Sequence, residues 1–221
     1  MYYLNVLDDF FSGLDFELLK NDFNWPQSDF FIYDNPFEKK KALKFVPPAS
    51  KSVFDQITSD SFIEYLKTLT GISNLETDPY LHGAGLHLYE NGSFLTKHLD
   101  YSINPKSGKQ RRLNLILYLD DWDPSHGGAL ELYDASTKLV TKKIYPKQNR
   151  VVIFETNDYS LHGVEKIHGP PGINRRILTC FYVSDPEDGL KESTSVRHKA
   201  QFFPDDPNLQ ELATLRSHAL L

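Results

Sequence analysis

The stretch RRLNLILYLD, residues 111–120, decides the fold class, because leucine occupies every second position in most of it. Side chains alternate between the two faces of a β-strand, so this run predicts a strand with one apolar and one polar face. The first face comprises Leu113, Leu115, Leu117 and Leu119. The second face comprises Arg112, Asn114, Ile116, Tyr118 and Asp120. Alternation alone favours a solvated polar face, whereas the other interpretation packs the leucines under helices and lets the polar face line a pocket.

Further short β-rich runs lie on both sides of this strand, separated by Gly, Pro, Asn and Asp. Many short strands with turn residues between them predict a sandwich, a barrel or a jelly roll. The predicted strands cover residues 85–90, 111–120, 129–133, 139–144, 150–155, 163–167 and 175–183.

The two ends of the chain have a different pattern. Residues 1–80 predict mostly helices and loops, with apolar residues at helical spacing in 8–20 and a capping box at Ser61-x-x-Glu64, followed by Gly71 as a stop. Leucines in 207–220 predict a terminal helix. The fold class is therefore mainly β with flanking helices, an α+β chain. We expect one domain over 1–221, with helical support in 1–80, a β core in 84–183 and an extension in 184–221.

Composition excludes several function classes. The net charge is -6 and no long block of Lys and Arg occurs, which disfavours nucleic-acid binding. No apolar run approaches the roughly 20 residues that cross a bilayer, so no membrane partner is expected. The N-terminus lacks the basic region of a signal peptide, and Cys180 is the single cysteine. A chain without an internal disulfide favours a reducing compartment, so we expect a cytoplasmic protein.

The candidate metal ligands are His98 and Asp100, two positions apart, and His162, far along the chain. Two imidazoles and one carboxylate can occupy one face of an octahedral metal and leave the opposite face open, as suits non-haem Fe(II) oxygenases. Each histidine alone is more often an ordinary surface or core residue, and the His-x-Asp tripeptide alone is common by chance. The remaining histidines lack a partner pattern; they are His82, His87, His126, His168, His198 and His218.

From residue 89 to residue 183 the sequence resembles the 2-oxoglutarate/Fe(II)-dependent dioxygenases, in particular their prolyl 4-hydroxylase-like branch. Five matching segments occur in the same order as in that branch. They are Tyr89 to Asp100 with His-x-Asp, Arg112 to Trp122, Gly127 to Tyr133 with Gly-Gly-x-Leu, Arg150 to Val164 with the distal histidine, and Arg175 to Tyr182 with Arg-x-x-x-Thr. The resemblance implies a double-stranded β-helix, a jelly-roll variant, backed by the N-terminal helices.

The resemblance also implies roles for individual residues. His98, Asp100 and His162 would hold Fe(II), leaving positions for 2-oxoglutarate and O2. Arg175 would bind the distal carboxylate of 2-oxoglutarate by a two-pronged ion pair. Strand alternation lets only one of Arg175 and Arg176 face inward, and the Arg-x-x-x-Thr pattern selects Arg175. The hydroxyl of Tyr118 is a candidate donor to the same carboxylate, and further candidate contacts to cosubstrate or substrate are Tyr89 and Asn114.

The implied activity is hydroxylation of an unactivated C–H bond, of a prolyl residue or a small molecule, with release of succinate and CO2 and with ascorbate as a candidate reductant. Related halogenases have Gly or Ala in place of the carboxylate, so Asp100 favours hydroxylation. The alternative is a non-catalytic jelly-roll module that binds peptide or sugar, in which loss of a ligand is expected. A zinc hydrolase would leave Arg175 unexplained. Loops 101–110, 156–160 and 184–200 are expected to shape the substrate entrance, and the sequence makes no prediction of oligomeric state.

Overall fold

The computed structural model describes residues 3–187, 197 and 199–218. Its thirteen strands are β1 Leu4–Leu7, β2 Phe30–Asn35, β3 Glu38–Leu43, β4 Glu76–Thr77, β5 Gly85–Glu90, β6 Phe94–Leu99, β7 Gln110–Tyr118, β8 Leu130–Tyr133, β9 Val140–Ile144, β10 Val151–Glu155, β11 His162–Val164, β12 Asn174–Ser184 and β13 Gln201–Phe202. Its α-helices are α1 Phe16–Asn21, α2 Pro48–Ile57, α3 Asp60–Thr70 and α4 Pro207–His218. No described helix has the length and apolar character to cross a membrane.

The strands form one curled antiparallel sheet. Along its main path the strand order is β1-β10-β7-β12-β5-β3-β6-β11-β8-β9, and β2, β4 and β13 pair with members of this path. Sequence neighbours are mostly not neighbours in the sheet, as in a jelly roll. The predicted mainly β jelly-roll fold with flanking helices is confirmed. All seven predicted strands exist, with bounds that differ by at most three residues.

The leucine face of β7 forms the centre of the core under the N-terminal helices. Leu113, Leu115, Leu117 and Leu119 are fully buried and share one apolar cluster with side chains of α2 and α3, among them Ile57 and Leu66. Each fully buried leucine contributes roughly 1.5–3 kcal/mol of transfer free energy. This burial explains why the leucines alternate, and it turns the opposite face of β7 toward a cavity.

The N-terminal region differs from its prediction. Residues 1–80 are mostly helices and loops, as predicted, but they also contain β1–β4, which were not predicted from the sequence. The helix predicted over 8–20 is limited to α1, because Gly13 has a positive φ of 73° and the Asp15 side chain caps the helix at Leu18 N–H. Ser59, rather than a Ser61 capping box, caps α3, whereas Gly71 ends α3 in the left-handed conformation as predicted. The terminal helix is confirmed as α4 up to residue 218, beyond which the prediction lies outside the described residues.

Candidate metal centre

The pairing of β6 with β11 brings two of the predicted ligands together. His98 and His162 are direct partners in this antiparallel pair, and their ring centroids are 4.3 Å apart. Asp100 follows the end of β6, and its Oδ1 lies 3.6 Å from His98 Nε2. One ligand atom from each of the three residues lies within 4.8 Å of the other two. No other group of three such ligands occurs among the described residues.

Backbone carbonyls orient both imidazoles. His98 Nδ1 lies 2.9 Å from the Thr96 carbonyl oxygen, and His162 Nδ1 lies 2.8 Å from the Ser160 carbonyl oxygen. Each Nδ1 therefore donates its proton to a carbonyl, which leaves Nε2 with a free lone pair directed at the centre. This second hydrogen bond is how metal-ligating histidines are usually fixed in one tautomer.

Gly163 allows β11 to lie close to β6. A Cβ on Gly163 would be 2.7 Å from the Leu95 carbonyl oxygen and 3.1 Å from the Lys97 backbone nitrogen. Real Cβ atoms do not approach backbone oxygens this closely, so any larger residue would push the two strands apart. The glycine after the distal histidine therefore sets the separation of His98 and His162.

The ionisation states of His162 and Asp100 are also those that metal binding requires. Burial, and to a smaller extent the neighbouring His98, lower the pKa of His162 to about 4. Burial raises the pKa of Asp100, but the Arg111 charge and the hydrogen bond with His98 outweigh burial and hold it well below its ordinary value. Metal ligands must be unprotonated, and both groups meet that condition at neutral pH. Asp100 Oδ1 faces His98 Nε2, whereas Oδ2 is buried, accepts no hydrogen bond from any described residue and has Arg111 Nη1 3.5 Å away.

Arg111 is a site residue that sequence reasoning missed. Its Nη1 lies 3.5 Å from Asp100 Oδ2, and its guanidinium stacks between the rings of Tyr101 and Phe181. The same side chain donates to the His82 carbonyl oxygen at 3.0 Å and to the Tyr101 hydroxyl. Arg111 therefore contacts the Asp100 carboxylate through Oδ2, whereas the other oxygen, Oδ1, faces His98.

An irregularity in strand pairing explains why Arg111 was not predicted as a site residue. The β7–β12 register shifts between Tyr182 and Val183, which oppose Leu113 and Arg111, so residue 112 is skipped. This bulge exchanges the faces at the start of β7, because an extra residue reverses the alternation. Arg112 was predicted to share the polar face, and this is wrong: its guanidinium contacts Ser184 Oγ and Glu187. No signal in the sequence marks the bulge.

Replacing Arg111 with methionine is expected to lower the free energy of unfolding of the metal-free protein by roughly 3 to 5 kcal/mol, because one partner of a buried ion pair is lost. The matched control is Arg112→Met, whose partner Glu187 is 61% exposed; it should cost about 1 kcal/mol or less. Denaturant unfolding of both variants measures the difference. Equal losses would contradict the proposed support of Asp100.

Arg175 lies in the same cavity as the three ligands and lacks an anionic partner. It is 1% exposed, and its Nε and Nη1 atoms have no hydrogen-bond partner among the described residues. Its guanidinium carbon lies 4.8 Å from the ring centroid of Tyr89, and Nη2 lies 3.5 Å from the Tyr118 hydroxyl oxygen. A buried cation without a counter-charge is costly, so this site is suited to a carboxylate.

The other predicted contacts occupy different positions around Arg175. Tyr89 and Asn114 line the cavity, and the Asn114 side-chain oxygen accepts a hydrogen bond from Thr179 Oγ1 at 3.1 Å. Tyr118 is fully buried beside Arg175 rather than in the cavity lining. Arg176 lies on the other side of β12 and pairs with Asp120 at 2.6 Å. The structure therefore turns Arg175, the residue selected from the sequence, toward the cavity.

The cavity has a volume of about 670 Å³, and its lining includes the three ligands and Arg175 together with other basic or titratable side chains that sequence reasoning missed, among them Lys40 and His87. Burial, together with the charges of Lys40 and Arg175, lowers the pKa of His87 to about 3, so His87 is neutral. His82 also lines the cavity, whereas His126 and His168 contact residues around Gly169 and Lys166 instead. His198 and the side chain of His218 lie outside the described residues.

Comparison with known proteins gives three kinds of similarity. Residues 84–183 match the family model described as the 2OG-Fe(II) oxygenase superfamily. A curated relative, prolyl 3-hydroxylase OGFOD1 of Mus musculus, is 29% identical over 179 residues, which are 79% of this chain. The chain spans about 30% of the length of that relative.

Solved structures share the fold. A prolyl-4-hydroxylase of Pseudomonas putida matches with a TM-score of 0.60 and 18% identity, over 85% of this chain and 95% of its own. A prolyl hydroxylase of Trichoplax adhaerens, in complex with a hypoxia inducible factor peptide fragment, matches with a TM-score of 0.59 and 19% identity, over 82% of this chain and 83% of its own. The family-model match and the curated relative agree with the resemblance to 2-oxoglutarate/Fe(II) oxygenases, and the solved structures confirm the prolyl 4-hydroxylase-like fold inferred from the sequence.

Proposed function

We propose that the chain is a dioxygenase dependent on Fe(II) and 2-oxoglutarate that hydroxylates an unactivated C–H bond and releases succinate and CO2. The observation that carries the proposal is the presence, in one cavity, of the three convergent ligands and the buried Arg175, which has no anionic partner among the described residues. The metal ligands alone would fit several metals, and the arginine alone would fit any acid. Together they fit a metal whose cosubstrate is a dicarboxylate.

Each group of residues has a distinct role in this proposal. His98, Asp100 and His162 would hold iron, which with 2-oxoglutarate and O2 supplies the oxidising chemistry when bound. Arg175 would bind the distal carboxylate through its free Nε and Nη1 donors. Asp100, held ionised beside Arg111, would ligate the metal and so take the place that a halide would need. The apolar side chains Leu130, Val164 and Ile177 line the cavity and exclude water from the reacting carbon.

The substrate that we propose is a prolyl residue in a peptide, with small molecules as the second class. Support comes from relatives whose names identify prolyl hydroxylases, one of them in complex with a peptide fragment. Ascorbate is the proposed reductant. We also propose that 1–80 and 184–221 support a single oxygenase domain and that the protein works in a reducing, cytoplasmic environment, where the buried thiol of Cys180 remains unpaired.

The protein supplied with Fe(II), 2-oxoglutarate and O2 is expected to form succinate slowly even without substrate. With substrate, labelled O2 should deliver labelled oxygen to the product, and excess chloride should leave no chlorinated product, because Asp100 fills the position that a halide needs. Mass spectrometry of succinate and product measures both. The absence of succinate with iron demonstrably bound would favour the non-catalytic binding module, and a chlorinated product would refute the role of Asp100.

A further inference from the structure

Lys40 is a second basic residue in the wall of the same cavity. It lies on β3, and its side chain is 13% exposed. Lys41 is paired with Leu88 on β5, and Tyr89 is paired with Arg175 on β12, so Lys40, Tyr89 and Arg175 form one row across three neighbouring strands. Neighbouring strands are about 4.8 Å apart, which places the backbones of Lys40 and Arg175 roughly 10 Å apart on either side of Tyr89.

The positive charge of Lys40 is only partly neutralised. Its Nζ lies 3.3 Å from Glu38 Oε2, the one carboxylate that it contacts in the described part of the chain. The other oxygen of Glu38 accepts a hydrogen bond from Arg216 on α4 at 3.0 Å. One buried carboxylate thus serves two cations, and the group of three carries a net positive charge. An ammonium has three donors, so Lys40 keeps capacity for a further acceptor.

Lys40 remains charged in this environment. Burial lowers its pKa, but the neighbouring Tyr89 and Glu38 outweigh burial, and the pKa is raised above its ordinary value. The cavity therefore presents an incompletely paired ammonium from β3 and, two strands away on β12, a guanidinium without an anionic partner, with Tyr89 on the strand between them. Two such buried cations in one row favour an anion between them, since an unpaired charge in a low dielectric is costly.

We propose that Lys40 binds the distal carboxylate of 2-oxoglutarate together with Arg175, so that the carboxylate lies beside Tyr89 between the two cations. The inference rests on the proposed function and deepens it. A carboxylate offers about four lone-pair sites, enough for both side chains. Glu38, which also pairs with Arg216, holds Lys40 in position. The affinity for the cosubstrate therefore depends on α4, the helix that carries Arg216. The cavity then selects a dicarboxylate over a 2-oxo acid with one carboxylate.

The test measures equilibrium binding rather than turnover. Protein loaded with Mn(II) under anaerobic conditions is titrated calorimetrically with 2-oxoglutarate and with 2-oxopentanoate, which has a methyl group in place of the distal carboxylate. Lys40→Met is expected to weaken 2-oxoglutarate binding at least about tenfold, the loss of one charge-assisted hydrogen bond. Binding of 2-oxopentanoate should change by less than about twofold, because the methyl group offers Lys40 no acceptor. Lys40→Arg should restore part of the loss.

The matched control is Lys39→Met, which removes the same charge from the same strand at a side chain that is 48% exposed. It should leave both affinities unchanged. Arg216→Met is a second test variant that leaves Lys40 in place. Without Arg216, Glu38 neutralises Lys40 more fully. Binding of 2-oxoglutarate should therefore weaken, whereas binding of 2-oxopentanoate should not. Unchanged 2-oxoglutarate affinity in Lys40→Met, or equal weakening of both ligands, overturns the assignment of Lys40. Failure of the unmodified protein to bind 2-oxoglutarate overturns the proposed function itself, which separates the two results.

Discussion

Replacing His162 with alanine is expected to abolish tight metal binding. His162 is the only ligand contributed by β11, and the two remaining ligands belong to one short segment at the end of β6. Loss of an outer-shell partner of a metal ligand typically costs about 10- to 100-fold in affinity, so loss of a ligand itself should cost more than about 100-fold. Anaerobic calorimetric titration with Fe(II) measures the change. Succinate formation should disappear in parallel.

The control for this variant is His168→Ala. His168 contacts the Lys166 carbonyl oxygen and lies outside the three-ligand group, so metal affinity should be unchanged. Full affinity in His162→Ala would remove the central claim. Metal bound instead at His82, His87 or His126 would have the same consequence.

Replacing Arg175 with alanine is expected to raise the KM for 2-oxoglutarate much more than it weakens iron binding. A charge-assisted hydrogen bond contributes on the order of 1.5–3 kcal/mol, which corresponds to roughly 10- to 150-fold in affinity. Arg175→Lys should be partly tolerated, because the charge survives but the forked geometry does not. Initial rates over a range of 2-oxoglutarate concentrations, with metal titrations on the same samples, measure the two effects.

Arg176→Ala is the adjacent comparison. Arg176 pairs with Asp120 on the other side of β12, so its loss should affect stability rather than the KM for 2-oxoglutarate. An unchanged KM in Arg175→Ala together with a large increase in Arg176→Ala would show that the wrong face of the strand was assigned to the cavity.

The parts of the fold that the sequence predicts are those in which one physical signal dominates. The leucines of β7 alternate because an apolar layer covers one face of the strand, and burial of that face is the largest local free energy. The segment FLTKHL of β6, by contrast, is short and half polar, and nothing within it specifies a strand. β6 exists because it pairs with β3, β11 and β13, and such long-range pairing leaves no local pattern.

The candidate site shows the same contrast between features that the sequence predicts and features that it does not. The ligands His98, Asp100 and His162, which the pairing of β6 with β11 brings together, could be predicted because their chemistry is specific and their order fits a known arrangement. Arg111 was missed because a bulge reverses the strand alternation, and strand alternation was the only available guide to its direction. Lys40 was missed for a different reason: β3 was not predicted as a strand, so its alternation could not be used.

The origin of the ligands from both β6 and β11 has a consequence for folding. The unfolded chain keeps His98 and Asp100 as neighbours, but it must close the long loop between residues 98 and 162 before the third ligand can join them, and that closure costs conformational entropy. A metal held by all three residues would therefore bind the folded chain in preference to the unfolded one. At a free metal concentration 100 times the Kd, this preference would add about 2.7 kcal/mol to the free energy of unfolding. The metal would act as a reversible cross-link between two strands, and chelation is expected to lower the Tm of the metal-loaded protein.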